Sequence, residues 1–335
     1  MTGWAAAAMA GLVAGCAHVA PPQAPVEPVV WPGPPDPARV RLALVVTSPE
    51  GPAPARSFWR RAWRAVVGVE DGEASLQFRR PFGVAMTAGG DLVIVDPDAA
   101  LVVRTVPGAA SRLLGCRDRP WAAPMAVAAS GDGGIYVADA GEGVVVRVEA
   151  DGRCTPLGAG HLERPTGVAA GGGRVFVADP PRHQIVVLSG TGEVLARIGA
   201  HGDGAGGLNF PTGVALDAAG DLLVVDALNF RIARFSADGR WLGAFGTTVG
   251  DGGQFAMPKG VAAGPDGRIY VSDAQRDVVL VFRPDGSFDY VLGASGGEPG
   301  RFTHPAGLAS SGRRLYVADS YARRIQAFDV IGAAP

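Results

Sequence analysis

The sequence predicts an all-β fold, a six-bladed β-propeller, from three observations. One phrase recurs six times; the copy from Phe210 to Phe235 reads FPTGVALDAAGDLLVVDALNFRIARF, and the copy from Phe302 to Phe328 reads FTHPAGLASSGRRLYVADSYARRIQAF. The apolar runs inside each copy are short and rich in Val, Ile and Phe, which favours strands over helices. Repeats of about 40–50 residues made of short strands are typical of propeller blades. The proline near the start of each copy recurs at that spacing, at Pro81, Pro124, Pro165, Pro211, Pro258 and Pro305.

The chain begins with a segment typical of a bacterial secretory signal. Residues 1–16 read MTGWAAAAMAGLVAGC, an apolar stretch too short to span a bilayer. Its end, from Leu12 to Cys16, resembles a lipobox, so we expect lipidation of Cys16 and a lipoprotein anchored in the cell envelope. An ordinary cleaved signal, with Cys16 removed, is the alternative.

Residues 17–38 carry eight prolines, which predicts an extended linker that could hold a domain away from a membrane. An unstructured tail without a spacing role is the alternative. Residues 39–330 are then predicted to form the propeller, with repeats over 78–330.

Two elements are predicted between the linker and the repeats. Arg39 to Thr47 reads as a strand. The last repeat supplies only three strands and ends at Val330, so we expect this strand to complete the last blade and close the ring. Residues 57–67 place apolar and Arg side chains on opposite sides at helical spacing, which predicts one short amphipathic helix packed on the propeller. A membrane-surface role for this helix is the alternative.

Each repeat reads as four strands, clearest in the fourth copy. The predicted strands there are Gly213–Leu216, Leu222–Val225, Arg231–Phe235 and Trp241–Phe245. The inner two strands are apolar at consecutive positions, as expected where both faces of a blade are covered by neighbouring blades. An aspartate closes each second strand, and we expect it to accept hydrogen bonds from backbone N–H groups of the loop that follows.

The composition limits the classes of function that the sequence supports. A net charge of −2 argues against a nucleic-acid-binding protein, and Lys259 is the only lysine. With Cys16 lipidated, Cys116 and Cys154 remain. The strand pattern places them at opposite ends of two outer strands, too far apart for a bridge, so we expect two free thiols.

The repeated phrase P-x-G-V-A, then I/L-Y-V-A-D, then R-I-Q-x-F resembles the NHL repeat. The resemblance covers residues 78–330, and the copy from Gly307 to Phe328 is close to the family's consensus. The segments before the first repeat resemble bacterial envelope propellers of this family. Blade two departs from the pattern, with Ala126 where the other copies have Gly.

The loop face of such a propeller carries two candidate sites. The first is the channel mouth, formed by the residue between proline and glycine in each copy: Phe82, Met125, Thr166, Thr212, Lys259 and Ala306. The second is a set of histidines, His161, His183 and His201, which all fall in loops on this face. Amidating lyases, which are similar to NHL propellers, use histidines on a metal, so the resemblance implies zinc as the metal that these histidines would bind.

Neither a calcium site nor a familiar nucleophile is indicated. The mouth positions include no carboxylate, whereas lactonase-like propellers bind calcium through carboxylate and Asn ligands in the channel. The sequence also shows no Cys/His nucleophile pairing.

The sequence therefore predicts a non-enzymatic binding or scaffold module of the bacterial cell envelope. We expect a protein or small ligand to bind the loop face, without a cofactor and without nucleic acid. The protein is expected to be a monomer that meets the membrane only through its lipid anchor, on the periplasmic side of the outer membrane or at the cell surface. The alternative is a metal-dependent enzyme, a lyase or hydrolase that uses the loop-face histidines with zinc or calcium.

Overall fold

The computed structural model describes residues 28–48, 77–105, 111–116, 119–247 and 252–331. These residues form six antiparallel sheets, and the inner strand of each sheet contacts the inner strands of its two neighbours, the last including the first. The predicted all-β six-bladed propeller is confirmed. The predicted signal segment with Cys16 and the predicted helix at 57–67 lie outside the described residues.

Blades one to three each contribute four strands in sequence order, running from the ring axis outward. Blade one consists of β3 (Gly83–Met86), β4 (Leu92–Asp96), β5 (Leu101–Thr105) and β6 (Arg112–Leu113). Blade two consists of β7 (Pro124–Ala129), β8 (Ile135–Asp139), β9 (Val144–Val148) and β10 (Cys154–Leu157). Blade three consists of β11 (Gly167–Gly171), β12 (Arg174–Asp179), β13 (Gln184–Ser189) and β14 (Val194–Ile198), with a 3₁₀ turn at Pro180–Arg182.

Blades four and five repeat this arrangement, and blade six is completed from the N-terminal side. Blade four consists of β15 (Pro211–Leu216), β16 (Leu222–Asp226), β17 (Arg231–Phe235) and β18 (Trp241–Phe245), with a 3₁₀ turn at Ala227–Asn229. Blade five consists of β19 (Pro258–Ala263), β20 (Ile269–Asp273), β21 (Val278–Phe282) and β22 (Phe288–Leu292). Blade six consists of β23 (Pro305–Ser311), β24 (Arg314–Asp319), β25 (Arg324–Val330), β2 (Val40–Val46) and β1 (Val30–Trp31).

The ring closes as predicted. β2 pairs antiparallel with β25, from Val40 opposite Val330 to Val46 opposite Ile325. β1 was not predicted: Val30 and Trp31 pair with β2 as a fifth strand, and the Trp31 ring packs edge-on against Phe328 with ring centroids 5.8 Å apart. The C-terminal part of the segment predicted as a linker, 17–38, is therefore part of blade six.

Close approach between neighbouring inner strands explains the glycine after the mouth position. A Cβ added at Gly260 would lie 2.4 Å from the carbonyl oxygen of Ala306, and one at Gly307 would lie 2.3 Å from the carbonyl oxygen of Phe82. Real Cβ atoms essentially never come that near a backbone atom. Glycine here lets each blade approach the next near the axis.

The aspartates that close the second strands have a structural role, but within the described residues the predicted bonds from the backbone of the following loop form at three of the six, Asp96, Asp139 and Asp273. All six are almost completely buried: Asp96, Asp139, Asp179, Asp226, Asp273 and Asp319. Asp273 accepts a hydrogen bond from the Arg276 N–H in the loop that follows, and others from Ala256 and Met257 in the segment that enters the same blade. Each carboxylate thus fixes the entering segment beside the channel mouth.

The prediction of two free thiols is wrong. Cys116 and Cys154 form a disulfide that joins blades one and two, with Cα atoms 5.6 Å apart. The prediction assumed a full-length outer strand in blade one, but β6 has only two residues. Cys116 then forms an isolated antiparallel bridge with Arg119, so the chain turns back there and places the thiol beside the start of β10.

Candidate functional site

A cavity of about 310 Å³ opens at the loop-face end of the central channel. Five of the six predicted mouth residues line it: Phe82, Met125, Thr166, Thr212 and Lys259. Ala306 does not; it is 2% exposed, and its carbonyl oxygen accepts a hydrogen bond from Ser272 Oγ in blade five. The mouth positions of five blades therefore form one continuous site, because each inner strand begins at the same height on the ring.

The deeper wall of the cavity is aliphatic. One residue after each inner-strand glycine, or after Ala126 in blade two, a branched aliphatic residue lines the cavity. These six side chains are Val84, Val127, Val168, Val214, Val261 and Leu308. Each is at most 8% exposed because its side chain also packs in one of the hydrophobic clusters between blades. The six residues therefore form an apolar floor of which only a narrow part borders the cavity.

The mouth itself is asymmetric. The side formed by blades one and two carries the apolar side chains of Phe82 and Met125, and the side formed by blades three to five carries Thr166, Thr212 and Lys259. Thr166 Oγ1 donates a hydrogen bond to the carbonyl oxygen of Thr212 at 3.0 Å, which holds neighbouring blades together at the rim. A molecule in this cavity therefore meets an apolar wall on one side and a polar wall on the other.

Lys259 is the cation set deepest into this site. Its side chain is half-buried, and burial lowers the pKa of its ammonium from the ordinary value. No hydrogen bond or ion pair to the Lys259 ammonium is formed by any residue within the described ranges. No Asp or Glu is among the lining residues that the structure describes. The charge is thus partly removed from water without a counter-ion in the described chain.

Sequence reasoning missed three residues at the rim, Arg80, Arg164 and Phe210. Each directly precedes the leading proline of its copy, so the repeat register could have identified them. Arg80 is paired with Asp98, through Nη2 and Oδ1 at 2.7 Å. The Arg164 side chain is exposed and forms no ion pair with the described residues.

The structure brings two of the three candidate histidines together. The rings of His183 and His201 lie 4.3 Å apart between centroids. His183 Nδ1 accepts a hydrogen bond from the backbone N–H of Phe210 at 3.1 Å, which connects this pair to the cavity rim. His161 is exposed, and within the described chain its ring contacts neither of the others.

A complete metal-ligand set is not formed by the described part of the chain. No three His, Cys, Asp or Glu side chains there come together as a metal ion would require. Because Nδ1 of His183 accepts the hydrogen bond from Phe210, the neutral ring carries its proton on Nε2 and offers no free lone pair in this arrangement. The pair therefore offers at most part of a coordination shell.

Comparisons with known proteins show the fold. No protein-family model matches the chain, and no curated protein matches it. Among solved structures, virginiamycin B lyase from Staphylococcus aureus is similar at 15% identity and a TM-score of 0.58, over 76% of this chain and 96% of the lyase. A gluconolactonase from Xanthomonas campestris is similar at 18% identity and a TM-score of 0.60, over 86% of this chain and 98% of that one.

A binding protein is equally similar in structure. An auxiliary nutrient binding protein from Bacteroides thetaiotaomicron matches at 12% identity and a TM-score of 0.60, over 75% of this chain and 69% of that one. Enzymes and binding proteins thus share this architecture, and at such identities only the propeller fold is common to them. Among the described residues, no helix is long and apolar enough to cross a membrane.

Proposed function

We propose that the protein is a non-enzymatic binding module of the bacterial cell envelope, with a ligand site in the mouth of the propeller channel. The observation that carries the proposal is the cavity of about 310 Å³ around the half-buried, unpaired Lys259 ammonium. Small-molecule sites are concave, mostly apolar and supplied with a few polar groups that orient the ligand. The described mouth has this composition, and the ring of blades is a rigid scaffold that holds the mouth residues in place.

A bulky substitution that fills the mouth tests whether a ligand binds there. Thr212→Trp places a large ring between Thr166 and Lys259, and Thr191→Trp makes the same change at an exposed turn at the end of β13. We expect native mass spectrometry of protein purified gently from its source to show a retained small molecule in the wild type and in T191W. In T212W retention should fall at least tenfold, because the ring occupies the cavity.

Circular dichroism and melting temperatures establish that both variants fold. Equal retention by T212W and the wild type would place the ligand outside the channel mouth. A protein captured from source membranes equally well by both variants would also place binding elsewhere on the propeller.

Envelope anchoring through Cys16 is part of the proposal. Its support is the lipobox-like segment Leu12 to Cys16, together with the Cys116–Cys154 disulfide, since disulfides persist in oxidising compartments outside the cytosol. We expect Cys16→Ala to move the protein from the membrane fraction to the soluble fraction. Each buried CH₂ of a lipid chain contributes about 0.8 kcal/mol to membrane binding, and the variant loses the whole anchor. Membrane retention of C16A after a salt wash would contradict the anchor.

We also propose that the six repeats are of the NHL type, that the protein does not bind nucleic acid and that it is a monomer. The six recurring phrases support the first of these, and the net charge of −2 supports the second. Gel filtration with light scattering tests the third; a stable dimer at micromolar concentration would contradict it.

A second candidate function is a metal-dependent propeller enzyme, a lyase or hydrolase. The adjacency of His183 and His201 next to the rim residue Phe210 favours it. If this candidate is correct, the purified protein holds stoichiometric zinc or calcium, and His183→Ala and His201→Ala each lose it. His304→Ala is a matched loop-face control, because His304 pairs with Asp277 and Tyr321 instead. Metal content that is unchanged in H183A and H201A would reject these histidines as ligands.

A further inference from the structure

We infer that the channel ligand is an amphipathic anion, with an acidic head group beside Lys259 and Arg164 and an apolar body against the aliphatic floor. This inference rests on the proposed function and names the chemical class of its ligand. Four features of the site lead to it: the charges at the rim, the position of Lys259, the floor and the volume.

The rim charges point to an anion. Lys259 and Arg164 both line the cavity, from blades five and three, and neither forms an ion pair within the described residues. Arg80 differs because Asp98 already neutralises it. The described lining thus has two cations available to a ligand and no carboxylate, a field that attracts anions and repels cations.

The partial burial of Lys259 makes the preference strong. A partly desolvated charge without a partner is unfavourable, and an acidic group on the ligand removes that cost by a charge-assisted hydrogen bond. Thr166 and Thr212 stand on the same side of the mouth, but their hydroxyls already donate to the carbonyl oxygens of Thr212 and Lys259. The Lys259 ammonium is therefore the donor that a ligand oxygen meets on this side. A neutral ligand of the same shape would cover the ammonium and leave it unpaired. The same reasoning disfavours an amine, which would add a like charge.

The aliphatic floor and the wall formed by Phe82 and Met125 favour a ligand with an apolar body. Phe82 and Met125 line the cavity from blades one and two, and the six aliphatic residues of the floor border it with the small part of their surface that is exposed. Burying apolar surface against them is favourable at roughly 25 cal/mol per Å². A fully hydrated ion such as phosphate would gain nothing from this part of the site.

The volume limits the ligand to a small molecule. The cavity holds about 310 Å³, at the lower end of the range of about 300–1,000 Å³ for small-molecule sites. A medium-chain or aromatic carboxylate has the required size and polarity. Octanoate is therefore a suitable probe, and octanamide is its uncharged equivalent.

Isothermal titration of the full-length protein with octanoate, octanamide and octylamine tests the inference. We expect octanoate to bind at least tenfold more tightly than octanamide, and octylamine more weakly than both. In Lys259→Met this preference should fall to less than threefold, because the thioether keeps the bulk of the side chain but removes the charge. Arg240→Met is the matched control, since Arg240 is exposed at a turn outside the cavity and its loss changes the net charge equally.

Binding of octanamide to K259M reports whether the variant keeps an intact cavity, and its affinity should equal or exceed that of the wild type. Equal affinities of the wild type for octanoate and octanamide would overturn the inference, as would a preference for octanoate that survives in K259M. Tighter binding of octylamine, or no binding of any of the three compounds, would overturn it as well. None of these results removes the proposed function, which is tested separately by comparing T212W with the wild type in retention of the co-purified molecule and in capture from source membranes.

Discussion

A chain that begins at Ser57, and so lacks β1 and β2, is expected to melt about 5–10 °C below the full chain and to self-associate. Val40 is completely buried in a cluster with Phe302 and Phe328, and burial of such a side chain contributes about 1.5–3 kcal/mol. For a domain of this size class each kcal/mol shifts the melting temperature by roughly 2–4 °C. Loss of the Trp31 contact with Phe328 adds to the shift.

The same deletion exposes an edge. β25 pairs with β24 on one side and β2 on the other, so removing β2 leaves the backbone groups of β25 unpaired. An unpaired apolar strand edge is a template for association with another copy. Light scattering and gel filtration at increasing concentration measure this, and the shortened chain should form concentration-dependent oligomers.

Two further starting points separate the contributions. A chain that begins at Glu27 keeps both strands and should match the full chain in melting temperature and solubility. A chain that begins at Pro37 keeps β2 but loses β1, so its melting temperature should fall between the other two. Equal melting temperatures and equal monomer fractions for the Glu27 and Ser57 chains would show that β1 and β2 do not stabilise the ring.

An ion pair gives this closure a dependence on pH. Arg39, just before β2, lies 2.5 Å from Asp289 Oδ1 in blade five. Burial raises the pKa of Asp289, but hydrogen bonds from Arg39 and Arg268 lower it more, so the net pKa is below the usual value. A carboxylate with a depressed pKa stabilises the fold above its unfolded pKa of about 3.9 and loses that contribution as the pH falls through the folded value. The melting temperature of the chain that begins at Ser57 should therefore fall less on acidification than the melting temperature of the full chain.

The repeat pattern was sufficient to predict the ring because it is local and recurs six times. The predicted strands of the fourth copy agree with the structure to within two residues at their ends, and the missing fourth strand of the last copy identified β2. Five of the six copies also keep glycine after the mouth position, where the inner strands of neighbouring blades approach closely. These features depend on a register that the sequence repeats.

Features that depend on departures from the repeat could not be predicted. β1 has two residues between prolines and forms only because β2 offers it a partner edge. The asymmetry of the mouth depends on which side chains reach the axis: Ala306 is too short, whereas Arg164 and Phe210 extend into the rim from the preceding loop. The adjacency of His183 and His201 likewise depends on how loops of neighbouring blades pack, which no spacing in the sequence reveals.

The second large expected effect concerns the Cys116–Cys154 disulfide. We expect the double variant Cys116→Ser/Cys154→Ser to lose about 3–4 kcal/mol of unfolding free energy. The two cysteines are 38 residues apart, and closing a loop of that length restricts the unfolded chain by roughly this amount in the chain-entropy model. Denaturant titration of both proteins, without reductant, measures the difference.

The position of the bond indicates a local effect on blade one as well. β6 pairs with β5 through only two residues, so little hydrogen bonding holds the outer edge of that blade. Cys116 and Cys154 both pack against the cluster that contains Val102, Val146 and Trp121. We therefore expect hydrogen exchange of the double variant to accelerate most around β6 and β10, and least around β16 and β20, which lie in blades four and five.

Peptide mapping and thiol labelling distinguish the disulfide in the structure from the two free thiols that the sequence predicted. Peptide mapping of the unreduced protein should identify a linked pair containing Cys116 and Cys154, and a thiol reagent should label neither before reduction. Reductant should lower the unfolding midpoint of the wild type and leave that of the double serine variant unchanged, since the variant has no bond to reduce. Two freely reactive thiols in the oxidised, folded protein would contradict the bridge, and equal stability of the two proteins would show that the bond contributes nothing to the fold.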